Sequence, residues 1–197
     1  MLVFFDTEFT GLHKNTTLIS IGLVTQDNQK LYAELTDYDK SQVDDWIKEN
    51  VIAKLKLTSY LDENKRLLSQ VDNITNVAGE KAFVANCIRN WLEAFNTPVQ
   101  LVSDVCHYDM VLFIDLFGSA FDLPEFISPV CHDINQDIAQ YLGISEKEAF
   151  NISREDFAAG DKYIDNTEKH TALFDAEIIK KCYDKLNLKL KLLKPKI

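Results

Sequence analysis

The chain has 197 residues, of which 46% are hydrophobic and 26% charged, and this composition excludes collagen-like and broadly disordered proteins. The formal net charge of −10 argues against a protein that coats nucleic acid through a broad basic surface. Because no apolar run approaches the roughly 18 to 20 residues of a membrane span and no basic, apolar leader opens the chain, we expect one cytoplasmic domain over 1–197 and no membrane partner.

The first half of the chain begins with three predicted strands. Leu2 to Phe5, Leu18 to Thr25 and Lys30 to Glu34 are short runs rich in β-branched or aromatic residues. The polar Asp27-Asn28 step between the second and the third run is typical of a tight turn. These two strands are therefore predicted to form an antiparallel hairpin.

A helix and a polar segment follow the hairpin. Apolar residues recur at every fourth position from Val43 to Leu55, after a Ser41-x-x-Asp44 cap, and predict an amphipathic helix. Trp46 and Trp91 both lie on such apolar stripes, so we expect them in the core rather than against a nucleobase. Residues 58–79 are polar and only weakly periodic, and we interpret them as an insertion.

Helices and strands alternate in the second half of the chain. The predicted elements are a helix over Glu80 to Phe95, a buried strand over Val99 to Ser103, a helix over Tyr108 to Phe117, a short strand over Phe126 to Val130, a helix over Ile134 to Leu142 and a last helix over Thr171 to Leu188. This order predicts an α/β (α+β) fold in which a mixed central sheet carries helices on both faces.

The chain closes on a lysine-rich segment. Between Lys180 and Ile197 seven lysines face a single acid, Asp184, and residues 189–197 form a basic tail. Two interpretations stay open for these lysines. They bind RNA or a partner subunit, or they only favour the helix C-terminus and solubility.

Acidic residues follow the predicted strands in a pattern that indicates a metal site. Asp6 and Glu8 share one face of extended chain, with side chains roughly 7 Å apart. Two carboxylates so close repel each other unless a cation lies between them, and Mg²⁺ prefers oxygen ligands. Asp109 lies beyond a buried strand, Asp175 opens the last helix, and His170 precedes that helix with Thr171 as its N-cap.

Three short motifs occur in a fixed order along the chain. They are D-T-E-F-T-G-L at residues 6–12, V-S-D-V-C-H-Y-D at residues 102–109 and H-T-A-L-F-D at residues 170–175. On these motifs the chain resembles the DEDDh group of DnaQ-like 3′–5′ exonucleases, on the ribonuclease H-like fold. It looks closest to the bacterial ribonuclease T and oligoribonuclease-like exoribonucleases, although Asp104 and Val105 stand where the family commonly has His and Asn.

The resemblance implies a metal-dependent phosphodiesterase. Two Mg²⁺ or Mn²⁺ ions would be held by four acids, with His170 as the general base, and hydrolysis from the 3′ end would release nucleoside 5′-monophosphates. The four acids are Asp6, Glu8, Asp109 and Asp175. The terminal nucleotides are expected to contact Thr7, Phe9, Thr10 and Leu12, because single-strand binders use apolar and aromatic faces. The relatives also imply a homodimer.

Single-stranded nucleic acid is the expected partner, and RNA is favoured over DNA. Two alternatives remain at the level of sequence. One is a 3′–5′ exonuclease that proofreads or repairs DNA, and the other is a catalytically silent nucleic-acid-binding module on the same fold.

Overall fold

A computed structural model describes residues 1–160 and 162–193, and the side chains within these ranges up to residue 187. The predicted basic tail over 189–197 therefore lies outside the described side chains, and its last four residues lie outside the described chain altogether.

Among the described residues, seven strands form one mixed sheet in the order β4-β5-β3-β2-β1-β6-β7. The central strand β1 pairs antiparallel with β2 and parallel with β6. The predicted hairpin is confirmed, since β2 and β3 pair antiparallel and Asn28 closes their turn with a φ of 63°. The strands are β1 (Leu2–Phe9), β2 (Leu18–Thr25), β3 (Lys30–Leu35), β4 (Leu67–Val71), β5 (Ile74–Gly79), β6 (Gln100–Ser103) and β7 (His132–Asp133).

Helices cover both faces of this sheet, which confirms the predicted architecture. They are α1 (Asp45–Asn50), α2 (Lys81–Glu93), α3 (His107–Phe117), α4 (Ile134–Leu142), α5 (Glu146–Phe150), α6 (Arg154–Ala159) and α7 (Ala172–Leu193). Val3 and Phe5 of β1 pack with α2 and α3, whereas Phe4 between them packs with α4 to α7 on the opposite face. Within the described ranges, none of the helices combines the length and the apolar character needed to span a bilayer.

Two elements and one side chain near the start of the chain differ from their predictions. β1 continues to Phe9, so Asp6 and Glu8 lie within the strand rather than after it. The predicted helix over 43–55 is α-helical only in α1, because Asp44 caps it by accepting the Ile47 N–H at 2.8 Å and 3-10 turns flank it. The prediction that Trp46 is a core residue is wrong, since it is 53% exposed.

In two further segments the structure differs from what the sequence predicts. The polar stretch interpreted as an insertion contains β4 and β5, and β5 pairs parallel with β3. β4 is an edge strand with mostly exposed side chains, so it lacks the apolar alternation of a half-buried strand. Residues 126–130 form no strand, because only a single bridge joins Val99 to Ile127, and the edge strand is β7 instead. The short helices α5 and α6 were not predicted.

Helix α7 starts in direct contact with the sheet at Gly22. This glycine lies in β2 opposite Asp6 of β1. A Cβ atom at position 22 would lie 2.4 Å from the Ala172 carbonyl oxygen and from the Leu173 backbone. The missing side chain therefore lets the first turn of α7 lie on the sheet beside the acidic residues of β1.

We expect Gly22→Ala to lower the free energy of unfolding by about 2 kcal/mol, because the new methyl group overpacks a backbone contact. At an unhindered position the same change would stabilise the protein by about 0.4 to 1 kcal/mol through the unfolded state. Urea unfolding of the wild type and of Gly22→Ala shows whether the substitution lowers or raises the free energy of unfolding. A variant at least as stable as the wild type would contradict the close contact between α7 and β2.

Candidate active site

All five residues predicted to carry chemistry meet at one place. Asp6 and Glu8 come from β1, Asp109 from the first turn of α3 and Asp175 from the first turn of α7. One ligand atom each of Glu8, His170 and Asp175 lies within 4.8 Å of the others. Asp6 is close enough to Asp109, Asp175 and Glu8 for each of them to raise its pKa. Three separate elements thus bring four carboxyl groups together, and the loop before α7 adds the imidazole.

Asp109 is buried and held by hydrogen bonds from two strands. Its Oδ1 accepts the Thr7 N–H at 3.0 Å and the Thr7 hydroxyl at 2.6 Å, and its Oδ2 accepts the Ser103 hydroxyl at 3.3 Å. Thr7 was expected to contact a nucleotide, but its side chain is buried and donates to Asp109 instead. Ser103 was missed, since a serine at the end of a buried strand carries no recognisable motif.

His170 lies on the loop before α7, as predicted. Its backbone φ is 62°, and its N–H donates to the Asp175 Oδ2 at 2.9 Å. Helix α7 begins at Ala172, and the Thr171 carbonyl accepts the Asp175 N–H in the first turn. The ring of Trp46 meets the imidazole of His170 edge to face, with centroids 5.1 Å apart. Sequence reasoning missed this contact because it placed Trp46 in the core.

The carboxyl groups of this cluster are destabilised in their charged forms. Burial raises the pKa of Glu8 to about 8, and the neighbouring Asp175 and Asp109 add to the shift. Burial likewise raises the pKa of Asp175 to about 7 and that of Asp109 to about 6. Burial, then repulsion from the other three acids, raises the pKa of Asp6 well above its usual range. A buried set of oxygen donors that repel one another fits a hard divalent cation.

This electrostatic arrangement predicts how pH and metal change stability. Without a cation, the raised pKa values mean that the folded protein binds more protons than the unfolded chain. For Glu8 this pH window runs from its ordinary pKa of 4.5 to its pKa of about 8 in the folded protein. The free energy of unfolding therefore falls as the pH rises through this window. Mn²⁺ offsets the repulsion, so it should raise the Tm more at pH 8 than at pH 5.5. Thermal unfolding in MnCl₂ and in EDTA at both pH values measures this, and equal Tm values throughout would contradict it.

An ion pair beside the cluster anchors α6. The two guanidinium bonds from Arg154 to Asp104 measure 2.8 and 2.9 Å, and Arg154 also donates to Asn135 Oδ1 at 2.7 Å and to the Ala149 and Ile152 carbonyls. All five N–H groups of Arg154 thus have partners. The sequence marked Asp104 only as a departure from a motif. In the structure it joins the end of β6 to α6.

The remaining predicted substrate residues divide into two kinds. Thr10 is 2% exposed, donates to Gln42 Oε1 at 2.6 Å and accepts the Thr17 N–H at 2.8 Å, so its hydroxyl serves the protein interior rather than a nucleotide. Phe9 stacks on Tyr108 with ring centroids 5.3 Å apart, and Leu12 is 79% exposed. Phe9 and Leu12 line a cleft of about 350 Å³ that also includes Glu8, Gly11, Asp44, Trp46 and Ile47.

Comparison with known proteins gives a short sequence match and a broad structural one. No family model matches the chain. Over 55 residues it is 38% identical to a 3′-5′ exoribonuclease of Mycobacterium tuberculosis, described from two strains. That match covers 28% of this chain and 33% of the relative, so the chain spans about a third of the length of the curated relatives it matches.

Solved structures share the fold over nearly the whole chain. The nuclease domain of 3′hExo, a DEDDh family member bound to rAMP, superposes with a TM-score of 0.63 and 13% identity, covering 95% of this chain and 92% of that domain. A 3′-exonuclease in a structure of 3′-end recognition of a histone mRNA stem-loop superposes with a TM-score of 0.60 and 14% identity. The superposition covers 94% of this chain and 62% of that one. A full-length 3′-exonuclease superposes with a TM-score of 0.59 and 13% identity, covering 95% of this chain and 81% of that one. These likenesses confirm the predicted ribonuclease H-like fold.

Proposed function

We propose that this protein is a metal-dependent 3′–5′ exonuclease that hydrolyses single-stranded nucleic acid, with RNA preferred over DNA. The observation that carries the proposal is the cluster of Asp6, Glu8, Asp109 and Asp175 with the His170 imidazole at one end of the sheet. The fold shared with a DEDDh nuclease domain and the partial match to a 3′-5′ exoribonuclease support the same reaction class.

The residues of the cluster have distinct roles in the proposed reaction. The four carboxylates would hold two Mg²⁺ or Mn²⁺ ions, which supply positive charge to the scissile phosphate and acidify the attacking water. His170 takes the proton of that water as general base. Burial, then the cations of Lys169 and Lys54, lower its pKa, so the imidazole is neutral and able to accept a proton at neutral pH. The products are nucleoside 5′-monophosphates.

The cleft beside Glu8 is where the 3′-terminal nucleotides would bind. Phe9, Leu12 and Trp46 give it apolar and aromatic walls, and bases stack on such surfaces without regard to sequence. The preference for RNA draws on the curated relatives named exoribonucleases and on the neighbour that recognises a histone mRNA stem-loop. Closeness to the bacterial ribonuclease T and oligoribonuclease-like enzymes, a homodimer and a cytoplasmic location stay predictions from the sequence.

Digestion of a 5′-labelled single-stranded RNA and its DNA counterpart tests the proposal. With Mn²⁺ or Mg²⁺ we expect a ladder that shortens from the 3′ end, faster on RNA, and no shortening in EDTA. Faster digestion of DNA would favour the DNA exonuclease, because only a contact to the 2′-hydroxyl separates the two substrates at one site. Intact substrate in every lane, with folded protein, would leave a nucleic-acid-binding module.

A further inference from the structure

The loop that carries His170 depends on outside contacts for its shape. His170 adopts a left-handed backbone conformation, with φ at 62°, which is unfavourable for a residue with a side chain. Within the loop, the Lys169 N–H donates to the Asn166 carbonyl and the Thr171 N–H to the Glu168 carbonyl, both at 3.1 Å. These local turns leave the carbonyl of Lys169 to be satisfied from elsewhere.

Two charged side chains contact Lys169. Its ammonium pairs with Glu155 of α6 at 2.9 Å, and Glu155 is buried. Its carbonyl oxygen accepts a hydrogen bond from the ammonium of Lys54. Lys169 immediately precedes His170, so the contact from Lys54 acts directly on the backbone next to the imidazole, and Glu155 holds the neighbouring side chain.

Lys54 lies on a segment that packs against the sheet. It ends a 3-10 turn, Ile52–Lys54, that follows α1. The buried Ile47 and Val51 pack this segment against Ile19 of β2. The ammonium of Lys54 is also close enough to Glu8 and Asp175 to lower the pKa of each.

We infer that Lys54 is a positioning residue, whose ammonium holds the Lys169 carbonyl and thereby places the His170 imidazole against the carboxylates. The inference rests on the proposed function, in which His170 is the general base. A general base acts only within hydrogen-bond reach of the water it deprotonates. Loss of the anchor therefore slows the chemical step more than it weakens binding of the nucleotides in the apolar cleft.

Lys56 provides a matched control on the same segment. It pairs with Glu168 at 2.7 Å, one residue from Lys169, but the two side chains are 63% and 51% exposed. Exposed ion pairs of this kind contribute little to the stability of the segments that they join. Lys56→Met removes a cation from the same stretch of chain without touching the Lys169 carbonyl.

The test measures kcat and KM on single-stranded RNA with Mn²⁺ for the wild type, Lys54→Met, Lys54→Arg and Lys56→Met. We expect Lys54→Met to lower kcat by about 10- to 100-fold with KM within about twofold, since a small misplacement of a reacting group has this effect. Lys54→Arg, which still donates to the carbonyl, restores most of kcat, and Lys56→Met leaves it unchanged.

Tryptophan fluorescence reports on the loop without relying on activity. In a Trp91→Phe background Trp46 is the remaining tryptophan, and its ring contacts His170. Lys54→Met should make Trp46 emission more accessible to acrylamide, whereas Lys54→Arg should not.

Two results would overturn the assignment of Lys54. One is a Lys54→Met variant that matches an active wild type in kcat and in acrylamide quenching. The other is a folded Lys54→Arg variant as slow as Lys54→Met. A wild-type protein that hydrolyses neither RNA nor DNA would instead overturn the proposed function on which the inference rests.

Discussion

Asp109→Asn is expected to lower the rate of 3′-end hydrolysis by at least about 10³-fold, more than the 10- to 100-fold typical of a residue that only orients a metal ligand. The substitution removes one of four carboxylates in a buried cluster. The Thr7 N–H and hydroxyl both donate to its Oδ1, so that part of the network persists if the amide oxygen occupies the same place. The loss should therefore be one of chemistry and not of folding.

The measurement is single-turnover digestion of a labelled RNA in Mn²⁺, with Tm recorded for each protein. Asp115→Asn is the matched control, because Asp115 lies on the same helix α3 and its exposed carboxylate pairs with Lys81 at the surface. Asp109→Asn should also raise the Tm in EDTA, since it removes a charge that burial destabilises. Activity within tenfold of the wild type would remove Asp109 from the proposed metal site.

Arg154→Met is expected to lower the free energy of unfolding by about 3 kcal/mol, at the low end for a buried ion pair that loses one partner. Only 11% of the Arg154 side chain and 22% of the Asp104 side chain are exposed. Burial raises the pKa of Asp104, and the Arg154 guanidinium opposes that rise. Without Arg154, the Asp104 carboxylate and the Asn135 side-chain oxygen lose charge-assisted partners in a site that water reaches poorly.

Urea unfolding measures this loss, and Lys81→Met gives the comparison at an exposed pair, where we expect less than about 1 kcal/mol. The double variant Asp104→Leu/Arg154→Met should recover part of the stability, because it leaves no unpaired buried charge. A loss no larger than that of Lys81→Met would show that the pair of Arg154 with Asp104 adds no more stability than an exposed pair.

The residues that meet in the acidic cluster could be predicted because they recur at short, specific spacings. Asp6 and Glu8 share a strand face at a spacing of two, and His170 stands five residues before Asp175 across a recognisable helix start. Most helices and strands with a clear apolar period were also predicted within a few residues, such as α2, α4 and β2. Local periodicity and motif spacing carry this information without reference to the rest of the chain.

The errors share a different cause. Trp46 lies on an apolar stripe, but α1 is short and its exposed side meets His170, which comes 124 positions later in the chain. β4 looks polar because it is an edge strand, and edge position is a property of the completed sheet. Thr7 and Thr10 belong to a motif associated with substrate, and the tertiary structure adds that their hydroxyls are hydrogen-bonded within the protein, while their contact with a nucleotide stays a prediction.

The fold class and the five residues of the cluster could be predicted from the sequence, because strand and helix periods and motif spacings are local properties, while the roles of these residues in a reaction stay predictions. The contacts that support the cluster depend on the tertiary structure. Ser103 and Thr7 hold Asp109, Asp104 and Arg154 anchor α6, and Lys54 reaches the Lys169 carbonyl. These contacts join residues far apart in the chain or carried by separate elements, and such pairings exist only once the sheet and its helices have packed together.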